Sequence, residues 1–231
     1  METPPPPPPP PQPPLNYATP STPLDIGRCL NESLAVFQKN FFILVLAAII
    51  FELLSAFSLL ILTGPLAGGI WIMSSTALTS PDKKIDIGLM FSMFRRFTPL
   101  LGLFLLTVIP IWFGLVLLIV PGVLLMALWM YSFPLLIERN MKVTEAMAAS
   151  WRIVMRNGLS WNLLLAAIIF ALAIAPGLLP HIGLIVGWFL TPIAWLMGAS
   201  AYLQQVRERE AELADILSPR GFPVEPNPST T

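Results

Sequence analysis

Residues 41–62, 98–137 and 159–203 contain no lysine, arginine or aspartate, and this restricts the chain more than any other feature. A helix needs about 20 apolar residues to cross the ~30 Å hydrocarbon layer of a bilayer. The second and third tracts are each long enough to cross twice, and each carries a turn signal inside it: Val120-Pro121-Gly122 in one, the stretch from Ala175 to Gly183 in the other. The first tract turns at Thr63-Gly64-Pro65 and returns through the shorter LAGGIWIMSSTAL. Six transmembrane helices are therefore predicted, over 41–62, 65–80, 98–119, 122–138, 159–178 and 183–204. Composition agrees: 55% of the 231 residues are hydrophobic and 11% charged, against about 25% charged in a soluble domain.

The charges give an independent check on this count. With six crossings, all 13 lysines and arginines, from Arg28 and Lys39 to Arg207, Arg209 and Arg220, fall on one side, and the three opposite turns carry none. The positive-inside rule then makes the protein multi-pass in the cytoplasmic (inner) membrane with both termini cytoplasmic. The first 40 residues hold no basic stretch followed by an apolar run, so no signal peptide is expected and the first helix serves as the insertion signal. Cys29, the only cysteine, precedes that helix on the reducing side and reads as structural.

The organisation repeats. A shift of 117 positions lays PLDIGRCLNESLAVFQKN onto the segment MKVTEAMAASWRIVMRN. It pairs Ile26 with Val143, Leu30 with Met147, Ser33 with Ser150, Phe37 with Val154, Lys39 with Arg156 and Asn40 with Asn157. Half that shift reaches IDIGLMFSMFRRFTP, where Ile85, Leu89 and Ser92 match and later positions fit poorly. The predicted fold is all-α: three copies of one unit, a cytoplasmic amphipathic helix followed by a transmembrane hairpin. The copies would be parallel, related by an axis along the membrane normal. The amphipathic helices either lie in the interface, with Lys39, Arg95, Arg96, Arg152 and Arg156 as candidate contacts to anionic head groups, or are connectors whose basic residues obey the charge rule.

Four stretches, GPLAGG, LMFSMF, VPGVLLMALWMYSFPLLIE and EAMAASWRIVMRNG, resemble a bacterial multi-pass family of unknown function, similar to the membrane region attached to some glycerophosphodiester phosphodiesterases. The likeness covers about 24–205. It implies the fold and carries no chemistry, because the phosphodiesterase catalytic domain is absent.

Residues 1–23 and 206–231 flank this domain. Ten prolines in positions 4–14 favour a polyproline II rod, read as a spacer or as a ligand for an aromatic-lined groove. QQVREREAELADIL is predicted to extend the sixth helix into the cytoplasm, ahead of a disordered tail after Pro219.

Catalytic signatures are missing. The sequence has no HExxH, P-loop or CxxC and a single histidine, His181, in an outer turn; it cannot supply the three or four ligands of a zinc site. Asp25, Asp82, Asp86 and Asp215 all lie outside the apolar tracts. Neither an enzyme nor a metal or cofactor is expected, and nothing points to nucleic acid. Gly64 and Gly68, and Gly183 and Gly187, are spaced for close helix approach. Pro110, Pro134 and Pro192 interrupt spans.

Glu52 stands alone in the first apolar tract, about 16 Å beyond Phe41 at 1.5 Å per residue and so near the bilayer midplane. A lone carboxylate at that depth is expensive unless paired. Twelve residues back from Gly64 reaches Glu52 and twelve forward reaches Thr76, so Ser74, Ser75 and Thr76 are its expected hydrogen-bonding partners. The cluster is either a proton or substrate site or a protonated structural carboxyl. Two functions follow. The first is a non-enzymatic scaffold or organiser of the cytoplasmic membrane, with lipids and a protein docked on the basic face or the proline tail as partners. The second is a small transporter or channel using Glu52.

Overall fold

A computed structural model describes residues 24–179 and 182–217. The proline tail, His181 and the residues after Leu217 lie outside the described residues. Every element within them is helical. Helix α1 (Ile26–Lys39) starts at an N-cap, Asp25, whose carboxylate accepts from the Arg28 backbone N–H at 2.9 Å. It buries Cys29, Ser33 and Phe37, one stripe at a spacing of four. At Asn40 the chain bends by 97° into α2 (Phe41–Phe57), and the Asn40 amide Nδ2 donates to the Val36 carbonyl at the bend.

Helix α2 stops five residues short of the predicted end at 62. Leu59 and Leu60 take left-handed φ values of 50° and 68°, and their N–H groups turn back to Ala56 and Ser55 carbonyls at 3.2 and 2.8 Å. This is the bonding pattern that commonly closes a helix with glycine, carried here by leucine. Helix α3 (Thr63–Thr79) is the innermost, with 12 of its 17 residues buried. GPLAGG explains how it gets there. A Cβ on Gly64 would stand 2.6 Å from the Leu100 carbonyl oxygen, and one on Gly69 would stand 1.8 Å from that of Met90.

The short α4 (Gly88–Phe91) and a 3-10 turn (Ser92–Arg96) lead into α5 (Phe97–Leu117). The next turn falls at Leu118, in extended backbone, rather than at Pro121. Pro121 lies in the first turn of α6 (Ile119–Trp129), where its missing N–H has no intrahelical partner to lose. Gly114 and Gly122 let the two helices touch backbone to backbone, since a Cβ on the first would lie 2.8 Å from the Cα of the second. The predicted 122–138 helix breaks at Met130-Tyr131 before α7 (Ser132–Glu138). Pro134 cannot donate to the Met130 carbonyl four residues back. Ser150, from α8 (Val143–Asn157), bridges the break: its hydroxyl donates to Leu128 O at 2.7 Å and accepts from the Tyr131 N–H at 3.2 Å.

Helix α9 (Leu159–Ile174) ends in a 3-10 turn (Ala175–Leu178). Helix α10 (Gly183–Tyr202) widens into a π turn (Leu203–Arg207). The predicted extension of this last helix stops at Arg207. Residues 208–213 turn instead, and a four-residue α11 (Ala214–Leu217) folds back beside α8. Leu213, Ile216 and Leu217 are buried there, an apolar set that an extended helix would leave in water.

Four segments are long and apolar enough to cross a membrane: Gly88–Leu117, Ile119–Glu138, Leu159–Leu178 and Gly183–Arg207; the bent pair α1–α2 makes a possible fifth. Helices α2 and α3, at 17 residues each, are at the lower end of spanning length. The apolar stretches of α5 and α9 are only 22% and 17% buried, against 50% and 44% for α6–α7 and α10. So α5 and α9 are outer helices that show apolar side chains such as Trp112, Phe113 and Leu164 to the surroundings, as a lipid-embedded protein does. Packing runs in a ring: α2 lies on α10, α5 on α3, and α9 on α6. Likewise α1 lies on α10, α4 on α3, and α8 on α7 and α6.

Candidate functional site

The sequence places Glu52 with Ser74, Ser75 and Thr76, but the structure does not bring them together. With α2 ending at Phe57, Glu52 lies five residues from the C-terminal end of its helix, about 7.5 Å, whereas Ser74 lies eleven residues into α3, about 16 Å. Helix α2 also turns its carboxylate toward α10. The polar neighbours of Glu52 are Trp188 and Thr191, and a Cβ on Gly187 would lie 3.6 Å from its Oε1. Glu52, Pro176, Gly187 and Thr191 line a cavity of about 290 Å³ near the turn between α9 and α10.

Ser74 belongs to a different cavity. Six elements line about 270 Å³ at the centre of the helices: α3 contributes Trp71 and Ser74, α5 Thr107, α6 Trp129, α7 Phe133, α9 Ala166, and α10 Ala194 and Gly198. The walls are otherwise apolar. Ser74 Oγ and Trp71 Nε1 are buried with no hydrogen-bond partner among the described residues. Thr107 spends its proton on the Leu103 carbonyl at 2.8 Å. Ser75 is buried on α3 and its carbonyl accepts from the Thr79 hydroxyl; Thr76 is half-buried.

The basic candidates separate by partner. Lys39 Nζ donates to the Pro81 carbonyl. Arg96 caps α7, donating to the Leu136 and Ile137 carbonyls at 3.2 and 3.3 Å and to Asn140, which holds a left-handed φ of 53°. Arg156 pairs with Asp215 at 2.7 Å. Arg95, exposed, and Arg152, half-buried, have no ion-pair partner among the described residues. Arg152 lines a cleft of about 220 Å³ with Asn140, Ile216 and Leu217.

Ion pairs bind the polar end into one layer. Arg28 holds Glu208 at 2.7 Å, Arg139 holds Glu210, Arg156 holds Asp215, and Arg207 grips Glu138, which also accepts from the Tyr202 hydroxyl at 3.1 Å. The carboxylates of Glu208 and Glu32 raise the pKa of Arg28. Cys29 is fully buried beside Gln204, whose amide donates to its Sγ at 3.2 Å, and burial pushes the thiol up to about 11. It is therefore a neutral packing group at physiological pH. Among the described residues no cluster of three or more His, Cys, Asp or Glu side chains is arranged to hold a metal.

Sequence reasoning missed Trp71 and Thr107, polar groups inside the predicted spans. It also missed the bond from Tyr131 Oη to Asn162 at 2.6 Å, two polar residues inside predicted spans. Polar side chains within the apolar tracts were the available signal.

The described residues form an all-helical protein with four or five segments apolar enough to cross a membrane, the features of a membrane-embedded protein. No protein-family model, curated protein or solved structure matches the chain.

Proposed function

We propose that this is a six-crossing protein of the bacterial inner membrane, organised as three parallel units, that acts without catalysis as an organiser of the cytoplasmic membrane surface. The ring of packing supports the repeat. In each of the units α1–α3, α4–α7 and α8–α10, the leading helices lie on the last helix of the preceding unit, and the third unit closes onto the first. The 117-residue shift carries α1–α2 onto α8–α9 within a residue or two of both ends. In this reading α2 and α3 are the two remaining crossings. With α2 upright, the 97° bend lays α1 in the interface.

The observation that carries the functional reading is the cytoplasmic layer. Four ion pairs lock the C-terminal segment onto α1, α7 and α8, while Lys83, Lys84 and Arg95 remain exposed and Arg152 lines an open cleft. Such a surface offers cations to anionic head groups or an acidic partner. The separation of Glu52 from Ser74, Ser75 and Thr76 favours this over the transporter. In a strain deleted for the gene, Glu52→Gln should restore the wild-type phenotype, whereas glutamine at Lys83, Lys84, Arg95 and Arg152 together should not. The reverse pattern would establish the transporter. Topology is checked by impermeant maleimide on single cysteines in a Cys29→Ser background: six crossings put Leu59→Cys and Leu118→Cys outside, and Lys83→Cys and Lys142→Cys inside.

A further inference from the structure

We propose that the central cavity is a binding site for a small neutral amphiphile: an apolar body with one oxygen atom, of the alcohol or ketone class. Three observations converge on it. Its volume of about 270 Å³ lies just under the ~300–1,000 Å³ of pockets for drug-sized ligands, so the occupant is smaller. Its walls are aliphatic and aromatic apart from Thr107, whose proton goes to the Leu103 carbonyl, and the places where Trp71 and Ser74 enter. Those two side chains, 8% and 1% exposed, bring an indole N–H and a hydroxyl that nothing among the described residues bonds. An unpaired buried donor is costly, and a ligand acceptor removes that cost. Trp71 Nε1 donates only, so the complementary group is an oxygen acceptor, and the Ser74 hydroxyl can accept from or donate to such a group. A charged head group is excluded, because no ionisable side chain lines the cavity. The site is also distinct from that of Glu52, with which it shares no residue.

The geometry also supplies the control. A Cβ on Gly198, in the cavity wall, meets no heavy atom within 4 Å, so Gly198→Leu fills the cavity without displacing the backbone. The full chain in lipid nanodiscs would be irradiated with 3-azioctanol, a photoreactive alkanol, and the adducts mapped by mass spectrometry. The expected adducts fall between Ile70 and Ser74 on α3 and between Ala194 and Gly198 on α10. Excess octanol should compete at least tenfold better than octane. Gly198→Leu should cut these adducts at least tenfold while leaving those on lipid-facing Leu53 and Phe113 unchanged, and Ser74→Ala should shrink the advantage of octanol over octane severalfold. Adducts confined to lipid-facing positions would overturn the proposal and leave the cavity to water. Cavity adducts that neither octanol nor Gly198→Leu reduces would overturn it equally.

Discussion

Leu59 and Leu60 hold left-handed backbone at the end of α2, with φ of 50° and 68°, a conformation that costs an L-residue with a Cβ roughly 1–2 kcal/mol. Leu59 is 84% exposed and contributes little packing to offset it. Leu59→Gly should therefore raise stability by about 1 kcal/mol, seen as a higher unfolding midpoint in detergent. The paired serines of the repeat should differ in the same assay. Ser33 donates within its own helix, to Cys29 O at 2.6 Å, whereas Ser150 holds the α6–α7 break together from another helix. Ser150→Ala should cost about 1–3 kcal/mol, by stranding buried backbone groups, and Ser33→Ala less. Cys29 gives a pH dependence. Its folded-state pKa, about 11, lies above its ordinary value of 9.0, so the unfolded chain loses the proton first. The stability it contributes is intact below pH 9 and lost as pH rises toward 11. In Cys29→Ala that part of the alkaline loss should disappear.

Helix α3 reaches the centre because its glycines let it. Gly69→Ala would drive a methyl into the Met90 carbonyl and should prevent folding, since backbone rather than a flexible side-chain end stands 1.8 Å away. On α5, a Cβ at Gly102 meets nothing within 4 Å. Gly102→Ala should thus stabilise by up to ~1 kcal/mol through helix propensity alone. Thermal unfolding of the two variants side by side separates packing glycines from merely permitted ones. The same contrast shows what was legible: the spacing of Gly64 and Gly68 marked a close approach, while the amphipathic helix expected in IDIGLMFSMFRRFTP is reduced to the four-residue α4 and a 3-10 turn, and the contact of α4 with Gly69 left no mark in the sequence. Pro134 was read correctly as an interruption, whereas Pro121 was read at the right place with the wrong consequence. Pro121 opens α6 instead of forming the turn before it, because proline fits the first helical turn.

At the scale of the molecule, the C-terminal segment is held by two kinds of contact. The partners Glu210 and Asp215 have side chains 55% and 67% exposed, and exposed pairs contribute about 0–1 kcal/mol each. Leu213 is fully buried, and truncating a buried leucine costs about 2–5 kcal/mol. Limited proteolysis should accordingly cut Leu213→Ala after Arg207 or Arg209 much faster than wild type, with Asp215→Asn close to wild type.

The sequence by itself determined that the chain is helical and apolar enough for a membrane, because lipid admits few alternatives and unbroken apolar runs leave a local, readable mark. It also showed the matching stripes of 26–40 and 143–157, since these need only chain spacing. Tertiary structure alone decided which helices are central, where Glu52 points, and that Ser74 and Trp71 share a cavity with Thr107. Those facts depend on how whole helices rotate and lean on one another. The earlier end of α2 offsets Glu52 along the helix axis from the hydroxyls of α3, and the rotation of α2 turns its carboxylate to the face of α10.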